Sequence, residues 1–135
     1  MAEAIELEIA TPERELVREQ ADEVQLPGKA GYMGILPGHA PLVSELGTGF
    51  LSYSAGGGKP RYLAVHGGFV EVLPEQVRVL ADLAECAEEI DIERARRAFQ
   101  RAQEELANPS LGIDPAVALA AMQRAEARLA AAEGK

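Results

Sequence analysis

The hydropathy pattern of this chain changes period once, and that change divides the fold. From Ile5 to about Ala84, apolar residues recur at alternate positions in short runs, which puts them on one face of half-buried strands. From Asp91 onward they recur every three or four positions, as on a helix with one apolar stripe. Strands first and helices afterwards argue against a parallel sheet, which needs helices threaded between its strands. The expected architecture is a β-sandwich over residues 1–86, a flattened antiparallel barrel of about ten short strands. An antiparallel two-helix hairpin over residues 87–135 follows it.

In the first half, Ile5, Leu7 and Ile9 alternate with Glu6, Glu8 and Ala10. Short strands are also expected around Leu16-Val17, Val24–Leu26, Leu42-Val43, Phe50–Ser54, Arg61–Val65, Phe69–Leu73 and Val77–Leu80. Gly56-Gly57-Gly58 suits a hairpin turn, which requires positive φ. Gly67-Gly68 should interrupt its ladder as a bulge or bend. The run from Pro27 to Leu42 holds four glycines and three prolines. It reads as a long shaped loop around one apolar segment, Gly34-Ile35-Leu36, and long ordered loops are usually functional.

In the second half, Ile92, Ala95, Phe99, Ala102 and Leu106 form one stripe, with Asp91 as its N-cap. Asn108–Gly112 ends that helix, and Asp114-Pro115 starts another. Its stripe is Ala118, Ala121, Ala125, Leu129 and Ala132. Alanines bury little area, so the hairpin should be weakly held, both to itself and to the sandwich, with a pivot at Leu83–Ala87.

The chemistry narrows by exclusion. A net charge of −9 argues against nucleic acid as a partner. No apolar run approaches the roughly 20 residues that cross a bilayer, and the first residues lack the pattern of a cleavable leader. Cys86 is the only cysteine, so no internal disulfide or cysteine cluster is expected, and its acidic neighbours should raise its thiol pKa. His39 and His66 stand far apart, and no metal site is expected of them. No serine has a nucleophile context, and Gly56-Gly57-Gly58 lacks the Lys-Ser/Thr of a phosphate loop. No catalytic residue is expected.

Arginines are the remaining signal. Arg94 and Arg101 are seven apart, and Arg124 and Arg128 are four apart, so each pair shares a helical face. If the helices pair, four guanidiniums could converge on an anion, for which a planar fork of donors is suited. The alternative is a solvated helix with internal ion pairs, Glu93 with Arg97 and Arg101 with Glu105.

Three motifs carry a resemblance. Gly34-Ile35-Leu36-Pro37-Gly38-His39-Ala40-Pro41-Leu42 resembles the G-I-L-P-G-H-x-P-L run of the epsilon subunit of F-type ATP synthases. His66-Gly67-Gly68-Phe69-Val70-Glu71-Val72 resembles that family's G-G-F-x-E-V strand. Ile90-Asp91-Ile92-Glu93-Arg94-Ala95 is similar to the motif that opens its C-terminal helices. Order, spacing and length agree over essentially the whole chain.

The resemblance implies a non-catalytic subunit of the central rotor stalk, coupling proton or sodium flow to ATP synthesis. Implied partners are the gamma subunit, the c-ring and, through an extended inhibitory hairpin, the alpha/beta catalytic head. It implies a peripheral position on the cytoplasmic face of the membrane, reached only through the complex. ATP is implied as a regulatory ligand and not as a required cofactor. The nucleotide-contacting positions it carries over are Glu85, Asp91, Arg94, Arg101, Arg124 and Arg128. The expected partner interface is Tyr32, Met33, Gly38, His39, Ala40 and Pro41. One departure lies beside Tyr32, where some members carry an acidic residue. The competing expectation is a free-standing β-sandwich ligand binder or adaptor that uses the 27–42 loop as its pocket rim.

Overall fold

Ile5, Leu7 and Ile9 are fully buried while Glu6 between them is exposed, so the alternation read from the sequence is the alternation of the sheet. The computed structural model describes residues 4–134. Eight strands come first: β1 (Ile5–Ala10), β2 (Glu15–Ala21), β3 (Glu23–Gly28), β4 (Gly31–Ile35), β5 (Leu42–Glu45), β6 (Thr48–Ser54), β7 (Arg61–Val72) and β8 (Gln76–Cys86). A 3-10 turn at Ala87–Glu89 leads into α1 (Ile92–Ala107), and a second at Pro109–Leu111 leads to α2 (Pro115–Glu133).

The strands are bonded in the order β2-β1-β8-β7-β6-β3-β4, with β5 also on β7. All pairs are antiparallel except β1 with β8, which run parallel. The core between the layers is aliphatic, with Leu26, Ile35, Leu51, Leu63, Val65, Val70 and Val72 among its members.

Eight strands form where about ten were expected, and two of the expected short strands, Arg61–Val65 and Phe69–Leu73, are one, because β7 is continuous through Gly67-Gly68. Its first part pairs with β6 and its last four residues with β5, while its register against β8 runs through without a shift. The glycines make a bend, not a bulge. Leu63 and Val65 point inward before it and Val70 and Val72 after it, so the inward phase slips by one residue at the corner. Gly67 and Gly68 have φ of 72° and 115°, and a Cβ on Gly68 would fall on the Leu80 carbonyl oxygen. Only glycine fits there.

The 27–42 run is not one loop. Gly31–Ile35 forms β4, paired residue by residue with β3; residues 29–30 are the turn between them, and residues 36–41 are irregular. Glycines had masked a hairpin whose Met33 and Ile35 reach the core.

The hairpin starts as its caps dictate. The Asp91 side chain accepts from the Arg94 amide at 3.1 Å, and Asp114 from the Ala116 amide at 2.9 Å. Helices α1 and α2 pack together, and each buries two alanines seven apart, Ala95 with Ala102 and Ala118 with Ala125. Helix α2 has a second buried face. Ala127 and Ala131 join Ala64 and Ile90 in a separate core flanked by Phe50 and Tyr62. Ala125 and Ala127 are two residues apart, about 200° around the helix, so α2 lies between α1 and the sandwich. The expected single stripe on α2 missed this face. The expected pivot also moves: Leu83–Cys86 is strand, registered against His66–Leu63, and the irregular segment lies at residues 87–91.

Candidate functional site

Where β8 leaves the sheet, the chain crosses under both helices and a cavity of about 400 Å³ opens. That volume suits a small molecule. Glu85, near the end of β8, supplies its floor. Glu89 and Asp91 come from the crossing, Arg94, Arg97 and Arg101 from α1, and Arg128 from α2. Arg94, Arg97 and Arg101 fall on one helical face because they are spaced three and four apart.

Glu85 is the joint of the site. Its Oε1 accepts from Arg128 Nε at 2.7 Å and lies 3.4 Å from His66 Nε2. His66 is buried on β7. The hydrogen bond from His66 and the hydrogen bond and charge of Arg128 hold the Glu85 carboxyl down to about 2, against the opposing effect of burial. An ionised carboxylate only accepts, so His66 Nε2 carries the proton. Nδ1 of the same ring is buried without a partner.

Glu89 is tied elsewhere. Arg14, in the β1–β2 turn, grips both its oxygens at 2.8 and 2.9 Å, and the Cys86 amide donates to it at 3.0 Å. Arg14 is the main cause of its lowered pKa. This contact anchors the crossing segment to the sandwich. The Cys86 thiol is pushed up, as expected, with burial ahead of the neighbouring carboxylates as the cause.

The cavity is therefore cationic. Four arginines face three carboxylates, of which Glu85 is paired, Glu89 is held by Arg14 and Asp91 caps α1. Arg94, Arg97 and Arg101 have no ion-pair partner among the described residues. The internal pairs expected of a solvated helix do not form as drawn: Glu93 pairs with Arg96 at 2.6 Å instead of Arg97, and Arg101 makes no bridge to Glu105. Three unpaired guanidiniums around one cavity have the charge and donor chemistry that suit a multiply charged anion.

Five of the six residues carried over for nucleotide contact, Glu85, Asp91, Arg94, Arg101 and Arg128, line this cavity. Arg124 does not; it sits half-exposed on α2. Glu89, Arg97 and His66 were missed. Arg97 is legible as a third arginine at helical spacing, but the same spacing also fits the alternative pair with Glu93. Nothing in the sequence marks His66, which reaches Glu85 only through strand pairing.

The six expected interface residues do not share one surface. Tyr32 lies beside the hairpin, its ring centroid 5.0 Å from that of Phe50 and its hydroxyl accepting from the Phe50 amide. Met33 packs partly into the core. Gly38, His39, Ala40 and Pro41 sit at the other end of the sandwich, where the Gly38 amide donates to the Pro74 carbonyl and His39 Nδ1 to the Ala40 carbonyl. Strand β8 links that end to the cavity, a span of up to about 30 Å at strand rise. Between them the sheet exposes Val43, Phe69 and Leu80, an apolar face the sequence reading did not pick out. No described helix is long and apolar enough to cross a membrane.

Comparison with known proteins follows the same division. Residues 4–87 match the family model described as ATP synthase, Delta/Epsilon chain, beta-sandwich domain, and residues 88–133 the one described as its long alpha-helix domain. The chain is 64% identical to the ATP synthase epsilon chain of Solibacter usitatus over the full length of both. It is 47% identical to that of Nitratidesulfovibrio vulgaris, covering 96% of each. Among solved structures, it resembles a chain of the Euglena gracilis mitochondrial ATP synthase, in an assembly that includes the c-ring. There the TM-score is 0.81 at 26% identity, covering 93% of this chain and 79% of that one.

Proposed function

This chain belongs to the ATP synthase delta/epsilon family, as an epsilon subunit, and we propose that its hairpin is a nucleotide-sensitive regulator of the rotor to which its sandwich docks. The subunit is non-catalytic. The 36–41 end of the sandwich faces the c-ring, and the apolar face of Val43, Phe69 and Leu80 takes the gamma subunit. It meets the membrane only through the complex, on its cytoplasmic face.

One observation carries the regulatory part: Arg94, Arg97 and Arg101 surround a cavity of about 400 Å³ with no counter-charge of their own. These three lie on one helix and repel in either state, but only the compact hairpin adds the like charge of Arg128 from α2 to the same cavity. ATP offsets the repulsion through charge-assisted hydrogen bonds to its phosphates. Extending the hairpin separates α2, and Arg128 with it, from Glu85 and the sandwich. ATP therefore binds the compact form better, and a ligand shifts a two-state equilibrium by that difference in affinity. High ATP keeps the helices folded down. Low ATP releases them toward the alpha/beta head, where they oppose hydrolysis.

Calorimetric titration of the isolated protein with ATP, with and without magnesium, tests the site. Saturable 1:1 binding that weakens on replacing Arg94 and Arg128 by alanine is expected. No binding at millimolar ATP would return the arginines to a merely solvated helix.

A further inference from the structure

Arg97 has no counterpart among the positions carried over by resemblance, yet it stands between Arg94 and Arg101 on the same cavity wall. The three form a row along which the helix rises about 10 Å. Arg96, next in sequence, is bound instead to Glu93 at 2.6 Å, so the two neighbouring arginines have different surroundings. Arg97 has no carboxylate partner among the described residues. Glu93 is taken by Arg96, and Asp91 accepts from the Arg94 amide at the helix start.

A single phosphoryl group presents its oxygens within one small sphere, and it has too few of them to give two to each of three guanidinium forks. A chain of phosphoryl groups spreads its oxygens and its charge along a line, and each guanidinium fork can take two of those oxygens. We propose that Arg97 makes this pocket selective for polyphosphate length, by holding a phosphoryl group that a nucleoside monophosphate lacks. The inference rests on the nucleotide reading of the cavity. It adds a specificity-determining residue and a reason for the subunit to respond to triphosphate rather than to total adenylate.

The test compares the full-length protein with Arg97→Ala and Arg96→Ala, each titrated with ATP, AMP and inorganic tripolyphosphate. Both substitutions suit a helix surface, since alanine is the best helix former. Arg97→Ala is expected to weaken ATP and tripolyphosphate by about tenfold, the order expected for a charge-assisted contact. AMP should change by less than about threefold, and Arg96→Ala, which removes the same charge but keeps Arg97 with Glu93 released beside it, should cost ATP less than Arg97→Ala does. Equal ATP affinity for Arg97→Ala and the parent overturns the inference, as does an equal loss for ATP and AMP. If the parent binds tripolyphosphate but not ATP, and Arg97→Ala loses it, the nucleotide reading fails while Arg97 keeps its role as a polyphosphate ligand. If the parent binds none of the three, both fall.

Discussion

Replacing Ala64 by leucine should pry the hairpin off the sandwich while leaving the sandwich intact. Ala64 lies on the outward face of β7, fully buried, and is covered by Ile90 and helix α2, with Phe50 and Tyr62 at the flanks. Across the ladder it faces Phe50 on β6 and Glu85 on β8. Leucine adds three carbons. Buried without strain they would contribute roughly 2 kcal/mol, but the space above Ala64 is occupied by the second alanine face of α2. Overpacking of this kind costs about 1–3 kcal/mol, and here it is relieved by lifting α2 away. The ratio of undocked to docked hairpin should rise between about fivefold and a hundredfold. Spin labels at Lys59 and Ser110, both exposed, in a Cys86→Ser background report the separation by double electron–electron resonance. The thermal melt of the sandwich serves as control, because its core faces away from Ala64. An unchanged distance distribution in a folded protein would refute the close seating of α2 on β7.

Acid should loosen the same contact. The Glu85 carboxyl is held down to about 2, so its stabilising contribution is fully present above its unfolded value near 4.5 and is lost as pH falls from there toward 2. Docking should weaken over that window, and Glu85→Gln, measured by the same labels, should flatten the pH response. His66→Leu should undock α2 in part by leaving Glu85 with Arg128 alone. His66→Gln, which restores a donor in place of Nε2, should recover docking, and equal effects of the two would make His66 only a filler of space. A charge at the far end, Ala40→Glu, should weaken assembly with the rotor in a reconstitution assay while the isolated protein melts as before, because Ala40 is exposed and outside the core.

The fold was legible where one period dominates. Ile5-Leu7-Ile9 and the caps Asp91 and Asp114 behave as their local chemistry requires. Legibility failed where glycine conceals a strand, as in Gly31–Ile35, or carries one through a bend, as at Gly67-Gly68. It also failed on α2, since Ala127 and Ala131 are too small to stand out as a buried face and matter through close approach rather than area. The site was half legible. Spacing alone places Arg94 and Arg101 together, but the floor, Glu85 with His66 beneath it, is assembled by the β7–β8 pairing, which no local pattern reveals. Arg124 shows the converse: four-residue spacing puts it near Arg128 on the helix, yet only Arg128 lines the cavity.

An anion in this cavity should hold the hairpin down. The Lys59–Ser110 distance distribution in the isolated protein, followed as ATP is raised to millimolar concentration, reads this hold without the rest of the complex. The short-distance population should grow with ATP and stop responding when Arg94 and Arg128 are both alanine. A distribution indifferent to ATP in the parent protein, or one that responds equally in the double substitution, would contradict it.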